Sequence, residues 1–190
     1  MSISVSTHIC YNRFMFEKLE NSNIHFSKRY KAIAIYDHKF YDRSDLDILN
    51  GAQRKFIIQK LSSLGFKQLS GNKLSNDECN ILFPKNAHIA SSPLDLVKYT
   101  KRSEKDYLIL TPMQLFLIYL EELAVEEQED LLNELKDLIA KMPVNLKKIK
   151  DISKHENYYE IFLKNYNEFV NIQDEAIKSD LANKSHIGMM

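Results

Sequence analysis

The sequence predicts an α+β fold, in which a small mixed N-terminal part with a short sheet packs on a C-terminal helical bundle. Short apolar runs bounded by polar residues are confined to residues 1–110, whereas apolar side chains at helical spacing fill almost all of residues 111–182. Hydrophobic residues make up 44% of the chain and charged residues 27%, which is ordinary for globular proteins and excludes a wholly disordered or fibrous one. We therefore expect two parts, 1–110 and 111–182, that share one core, and a flexible tail at 183–190.

The first predicted elements are a strand and a helix. Residues 32–36 alternate small and β-branched apolar side chains, which is typical of a buried strand. From Ser44 onward the apolar residues follow helical spacing, and Ser44 itself suits the N-cap. We expect this helix to end at Gly65, because glycine adopts the left-handed conformation that closes many helices.

Three further strands or helices complete the mixed part. Residues 66–69 and 81–83 predict two strands joined by a polar loop. Ser92-Pro93 predicts the start of a short helix, since proline suits the first helical position. Residues 107–110 are uninterruptedly apolar and predict another buried strand.

The helical part contains four predicted helices. Thr111-Pro112 begins a helix that is apolar nearly all round, so neighbours must cover it on several sides and we interpret it as the central core element. A second helix begins at Glu126, carries one apolar stripe with a period of 3.6 residues, and stops at Pro143. Asn145 suits the N-cap of a short helix, and a long helix follows it.

Several common classes of protein are disfavoured. The 4 glycines are too scattered for a phosphate-binding loop, and the 2 cysteines are too few for a disulfide framework. The first ten residues lack the basic and apolar regions of a secretory signal, and the most apolar stretch is shorter than the ~20 residues that span a bilayer. We expect a cytoplasmic protein with no membrane segment, metal or cofactor, and the oligomeric state stays open.

One cluster of titratable residues is the weak candidate for catalysis. Asp37, His38 and Asp42 lie together, and a helix would bring His38 and Asp42 to one face as metal ligands or acid–base groups. The nearby Asp45 and Asp47 are better explained as charges at the positive end of the helix that Ser44 caps. A polar loop is therefore the preferred interpretation of this cluster.

Two short segments concentrate basic residues around a tyrosine. They are Lys98, Lys101, Arg102 and Lys105 with Tyr99, and Lys28, Arg29 and Lys31 with Tyr30. Cations interleaved with an aromatic ring suit phosphates and a stacked base. The alternative is a solvated loop, in which lysine and arginine are common. A protein that binds nucleic acid would place both segments on one continuous face.

An acidic segment carries the opposite charge. Residues 121–137 contain eight acidic side chains against Lys136 alone, although the whole chain has a formal net charge of zero. The residues that we assign to a binding face are Glu121, Glu122, Glu126, Glu127, Glu129 and Asp130. Like charges at helical spacing cost stability unless a basic partner offsets them. The alternatives are the dipole of the helix that begins here, a solvated face, or packing on the basic half.

These observations favour a protein-interaction module, a regulator or neutralising partner of the immunity or antitoxin kind that acts by surface complementarity. Its expected partner is a protein, and a basic one. The second hypothesis is a nucleic-acid-binding or nucleic-acid-processing protein that uses the basic N-terminal half. In that case a hydrolytic site would combine residues 37–47 with residues 98–105. Whether the chain is an enzyme stays open, with a non-catalytic role preferred.

Overall fold

The computed structural model describes residues 23–36, 51–84, 92–126 and 128–187. In these ranges it contains a six-stranded mixed sheet and six helices, so the predicted α+β class is confirmed. The chain divides into two compact units between Thr111 and Pro112. The predicted N-cap at Ser44 lies outside the described residues.

The first unit holds the whole sheet. Its strands are β1 (Ile24–Ser27), β2 (Ala32–Ile35), β3 (Lys67–Ser70), β4 (Lys73–Ser75), β5 (Asn80–Leu82) and β6 (Asp106–Leu110), and its helices are α1 (Gly51–Ser63) and α2 (Pro93–Tyr99). The strand order is β1-β2-β6-β5-β4-β3. Strand β6 runs parallel to both of its neighbours, and the other neighbouring strands are antiparallel. Because β5, α2 and β6 follow one another in the chain, they form a parallel crossover.

The core of the first unit lies on one face of this sheet. Side chains alternate between the two faces of a strand, so Ile33 on β2, Ile81 on β5 and Ile109 on β6 share a face. They belong to one buried cluster with Ile57 and Leu61 of α1. The apolar stripe of α1 therefore covers the centre of the sheet.

Two of the strands were not predicted. The expected loop between residues 69 and 81 contains β4, in which only Leu74 is buried. Strand β1 alternates buried Ile24 and Phe26 with the polar His25, over only four residues. Both strands are too short to show a two-residue period above the background of the sequence.

The predicted helix boundaries are confirmed where the structure describes them. Gly65 has a φ of 94°, the left-handed conformation expected after α1. The hydroxyl oxygen of Ser92 accepts a hydrogen bond from the Asp95 N–H at 3.1 Å and caps α2. In the second unit, Asn145 Oδ1 accepts from the Lys148 N–H at 2.8 Å in the same way.

The second unit is helical throughout its described residues. Its helices are α3 (Pro112–Val125), α4 (Glu129–Lys141), α5 (Leu146–Ile152) and α6 (Tyr159–Ile187). Phe116 of α3 is fully buried and packs edge-on against Phe162 and Phe169 of α6, with ring centroids 6.3 and 5.7 Å apart. Helix α6 extends to Ile187, so its last residues lie in the segment predicted as a tail. In the described ranges, none of the helices combines the length and apolar character needed to cross a bilayer.

Candidate functional site

The weak catalytic candidates Asp37, His38 and Asp42 lie outside the described residues, so their role stays a prediction. Among the residues that the structure does describe, no three His, Cys, Asp or Glu side chains converge as metal ligands. Cys79 is buried in the core of the first unit, and burial together with the charge of Glu78 raises the pKa of its thiol to about 12. A thiol with so high a pKa is a structural group, because the thiolate is the nucleophile.

The acidic residues span the end of α3 and the start of α4. Glu121 and Glu122 are half-buried, whereas Glu126, Glu129 and Asp130 are exposed, and Glu127 lies outside the described residues. We call these five described residues the acidic surface. Glu129 and Asp130 occupy the first turn of α4, where the helix dipole favours negative charge.

The one basic residue of the acidic segment does not neutralise it. The Nζ atom of Lys136 lies 2.7 Å from Oε1 of Glu168 on α6, so its charge pairs with a carboxylate from another helix. Glu129, Asp130 and Asp137 form no ion pair with any residue that the structure describes. The negative charge of the acidic surface is therefore left for solvent or a partner.

A groove with a cavity volume of about 240 Å³ adjoins the acidic surface. Its apolar lining comes from Leu123 of α3, Leu132 of α4 and Ile161 of α6. Its polar lining residues are Gln128, Glu129, Lys164 and Asn165. We call it the α4–α6 groove. The sequence identified Glu129 but missed Leu132 and Ile161, because residues on different helices show no common spacing.

Arg102, which the sequence placed in a basic patch, connects two distant parts of the first unit. Its Nη1 atom donates hydrogen bonds to the carbonyl oxygens of Lys31 at 2.6 Å and Tyr30 at 3.2 Å. Its Nη2 atom donates to the carbonyl oxygen of Val97 on α2. Arg102 and Lys31 are 71 residues apart in the chain, so the guanidinium joins the two predicted basic segments.

The lysines around Arg102 are placed differently. Lys98, Lys101 and Lys105 are exposed, and none of them forms an ion pair with a described residue. The dipole of α2 accounts for Lys98, in its last turn, but not for Lys101 or Lys105 beyond it. The two tyrosines also differ, since Tyr99 is 80% exposed whereas Tyr30 is only 6% exposed.

Asp106 fixes the loop that carries these lysines. Its Oδ2 atom accepts from the Ser103 N–H at 2.8 Å, and its Oδ1 atom accepts from Asn80 Nδ2 at 2.7 Å. Partial burial acts to raise the pKa of Asp106, but these hydrogen bonds and the charge of Lys73 outweigh it, so the pKa lies below its ordinary value. Burial lowers the pKa of Arg102, an effect that the charge of Asp106 opposes. Arginine nevertheless remains charged at neutral pH.

Comparison with protein-family models, with curated proteins and with solved structures finds no match for this chain. The two charged surfaces and the α4–α6 groove are therefore the basis for assigning a function.

Proposed function

We propose that this protein is a cytoplasmic interaction module that binds a basic protein through its acidic surface and the α4–α6 groove. The observation that carries the proposal is the position of Glu129, which belongs to the acidic surface and also lines a groove floored by apolar side chains. Protein interfaces combine a desolvated apolar centre with a charged rim. The same combination is present here on one side of the second unit.

Charge and apolar contact would have separate effects on binding. Unpaired carboxylates attract a cationic partner and raise its rate of association, by an amount that falls with added salt. Burial of an apolar side chain against Leu123, Leu132 and Ile161 would slow dissociation. The occupant that fits is an amphipathic helix or loop with lysine or arginine beside an aliphatic or aromatic side chain.

The lining of the groove also favours one orientation of the partner. Glu129 lies on the α4 side, whereas Lys164 and Asn165 lie on α6. A partner that presents its cations toward α4 meets Glu129, whereas the reverse orientation places them against Lys164. Like charges in contact suppress the wrong orientation.

A role as a regulator or neutralising partner of the immunity or antitoxin kind is consistent with this chemistry. Such a protein acts by covering a cationic surface of its target, which requires complementarity and no catalytic group. The low cysteine content and the lack of a recognisable secretory signal support the cytoplasmic part of the proposal.

The test is affinity purification of the tagged full chain from its native host, followed by titration of the captured partner in purified form. Glu126→Lys together with Asp130→Lys reverses two exposed charges of the acidic surface. Asp174→Lys together with Glu175→Lys makes the same charge change at exposed positions of α6 and is the matched control. Circular dichroism and a thermal melt verify that each variant folds.

We expect a stoichiometric basic protein whose affinity falls at least tenfold in the acidic-surface variant and is unchanged in the control. Its affinity should also fall as salt is raised. Equal loss in both variants would mean that only the net charge matters, and retention in both would place the interface elsewhere. A monomer that captures no protein at low salt would also contradict the proposal.

A further inference from the structure

We infer that the first unit carries a second binding surface, one for single-stranded nucleic acid, with Tyr99 as the residue on which a base stacks. This inference concerns a different unit and a different class of partner, so it does not rest on the proposed function. The surface comprises the turn after β1 and the end of α2 with the loop that follows it. Its exposed or half-buried cations are Lys28, Arg29, Lys31, Lys98, Lys101 and Lys105; we call this set the basic surface.

The first step is that the two basic segments lie next to one another. Because Arg102 donates to the carbonyl oxygens of Tyr30, Lys31 and Val97, it holds the turn against the end of α2. Adjacent segments of like charge repel, and the fold keeps them together through hydrogen bonds that only a planar, multiply donating cation can make at once. Arg102 is thus a positioning residue, while the exposed lysines are available to phosphates.

The second step is the conformation of Lys31. It has a φ of 46°, in the left-handed region that glycine or asparagine adopts at lower cost. Its carbonyl oxygen also accepts from the Leu108 N–H at 3.0 Å, which ties the turn to β6. A lysine at this position adds positive charge to the basic surface at the expense of local strain.

The third step is the exposure of Tyr99. Large aromatic side chains are usually buried, and Tyr30 in the neighbouring segment is buried in this way. The ring of Tyr99 is 80% exposed between Lys98 and Lys101. An exposed ring flanked by cations is the arrangement by which proteins bind single strands, with a base stacked on the ring and phosphates on the lysines.

Neighbouring residues distinguish this partner from others. Within the described part of the chain, the other exposed large hydrophobic side chains are Leu69, Val125 and Ile152, and none belongs to the basic surface. A membrane-binding surface would need several apolar side chains beside its cations. A duplex buries the faces of its bases, so it can use the lysines but not the ring of Tyr99. The surface therefore favours single strands.

The test measures binding of the purified full chain to a fluorescent single-stranded 12-mer of thymidine, with a duplex of equal length as the second ligand. Tyr99→Ala removes the ring, whereas Tyr99→Phe keeps it and removes only the hydroxyl. Lys101→Glu together with Lys105→Glu reverses two exposed charges of the basic surface. Lys147→Glu together with Lys178→Glu, at exposed positions of the second unit, is the matched control.

We expect the single strand to bind more tightly than the duplex, and its affinity to fall with salt at a logarithmic slope of about −2 to −3, as for three or four phosphate contacts. Tyr99→Ala should weaken single-strand binding about tenfold, the typical effect of losing one stacked base, and leave duplex binding unchanged. Tyr99→Phe should bind like the wild type. Lys101→Glu with Lys105→Glu should weaken both ligands, and the control neither.

Three results would overturn the inference. They are equal binding of single strand and duplex with no effect of Tyr99→Ala, equal loss of affinity in the basic-surface and control variants, and the absence of binding to either oligonucleotide at low salt. The first would reduce the basic surface to nonspecific attraction of polyanions. The last would leave the exposed lysines as a solvated loop.

Discussion

The basic surface and the acidic surface are built in different ways, although each belongs to one unit of a chain whose formal net charge is zero. The basic surface combines two segments far apart in sequence, and hydrogen bonds from Arg102 to main-chain carbonyls hold them together. The acidic surface is nearly continuous in sequence and adjoins a groove between packed helices. The first depends on a polar tie, whereas the second depends on apolar packing, so different substitutions should break them.

Cys79 offers a way to observe the first unit separately. Its thiol has a pKa of about 12, so at pH 8 its thiolate fraction is lower than that of an ordinary cysteine by about a thousandfold. In a Cys10→Ser background we expect no reaction with iodoacetamide in the native protein and rapid reaction in denaturant. Mass spectrometry of the labelled chain measures this. Rapid labelling of the native protein at pH 8 would contradict the burial of Cys79.

Phe169→Ala should produce the largest loss of stability. The ring is fully buried and packs against Phe116 at 5.7 Å, so its removal leaves a cavity in the second unit. We expect the free energy of unfolding to fall by about 4 kcal/mol, measured by urea denaturation. A loss below about 1 kcal/mol would contradict the packing described for α3 and α6.

The same variant tests whether the two parts share one core, which stays a prediction of the sequence. A shared core would transmit the destabilisation to the sheet. Amide hydrogen exchange at Ile33 and Ile109 would then accelerate together with exchange in α6. Faster exchange confined to residues 112–187 would contradict a shared core.

Arg102→Ala should destabilise the first unit less than Phe169→Ala destabilises the second. It leaves three carbonyl oxygens without their charged donor, and we expect a loss of about 3 kcal/mol in the same urea experiment. Arg102→Lys restores the charge but not the planar fork, so it should recover only part of the loss. Lys101→Ala, an exposed neighbour, is the control and should change stability by less than about 0.5 kcal/mol. Equal stability of Arg102→Ala and the control would exclude the polar tie.

Asp106 should give a smaller, pH-dependent effect. Its pKa in the folded protein lies below the ordinary value of 3.8, so its carboxylate contributes stability above that pH, and the contribution is lost as pH falls through the folded pKa. Wild type should therefore melt at a higher temperature than Asp106→Asn at pH 7. The difference should shrink as pH falls below 3.8 toward 2. A difference that grows in acid would contradict the direction of the shift.

The sequence predicts elements whose signals are local. The cap at Ser92, the left-handed Gly65 and the buried strand at residues 32–35 each follow from a few neighbouring residues, and the structure contains all three. Strands β1 and β4 were missed because they are stabilised by pairing with neighbouring strands, which leaves little trace in so few residues.

The candidate surfaces show the same division. The sequence identified the charged residues, but it gave no means of distinguishing buried Tyr30 from exposed Tyr99, since both lie among lysines. It also placed Arg102 among the binding residues, whereas its guanidinium is engaged with main-chain carbonyls. These properties depend on contacts between residues far apart in the chain, which spacing does not encode.

Two titrations of the ¹⁵N-labelled full chain test the central claim, that the two surfaces bind partners of opposite charge. One uses the single-stranded thymidine 12-mer and the other a synthetic amphipathic peptide of lysine and leucine. We predict that the oligonucleotide shifts amide signals of residues 28–31 and 97–105, and that the peptide shifts those of residues 121–132 and 161–165. Shifts of one shared set by both ligands, or by neither, would contradict the account.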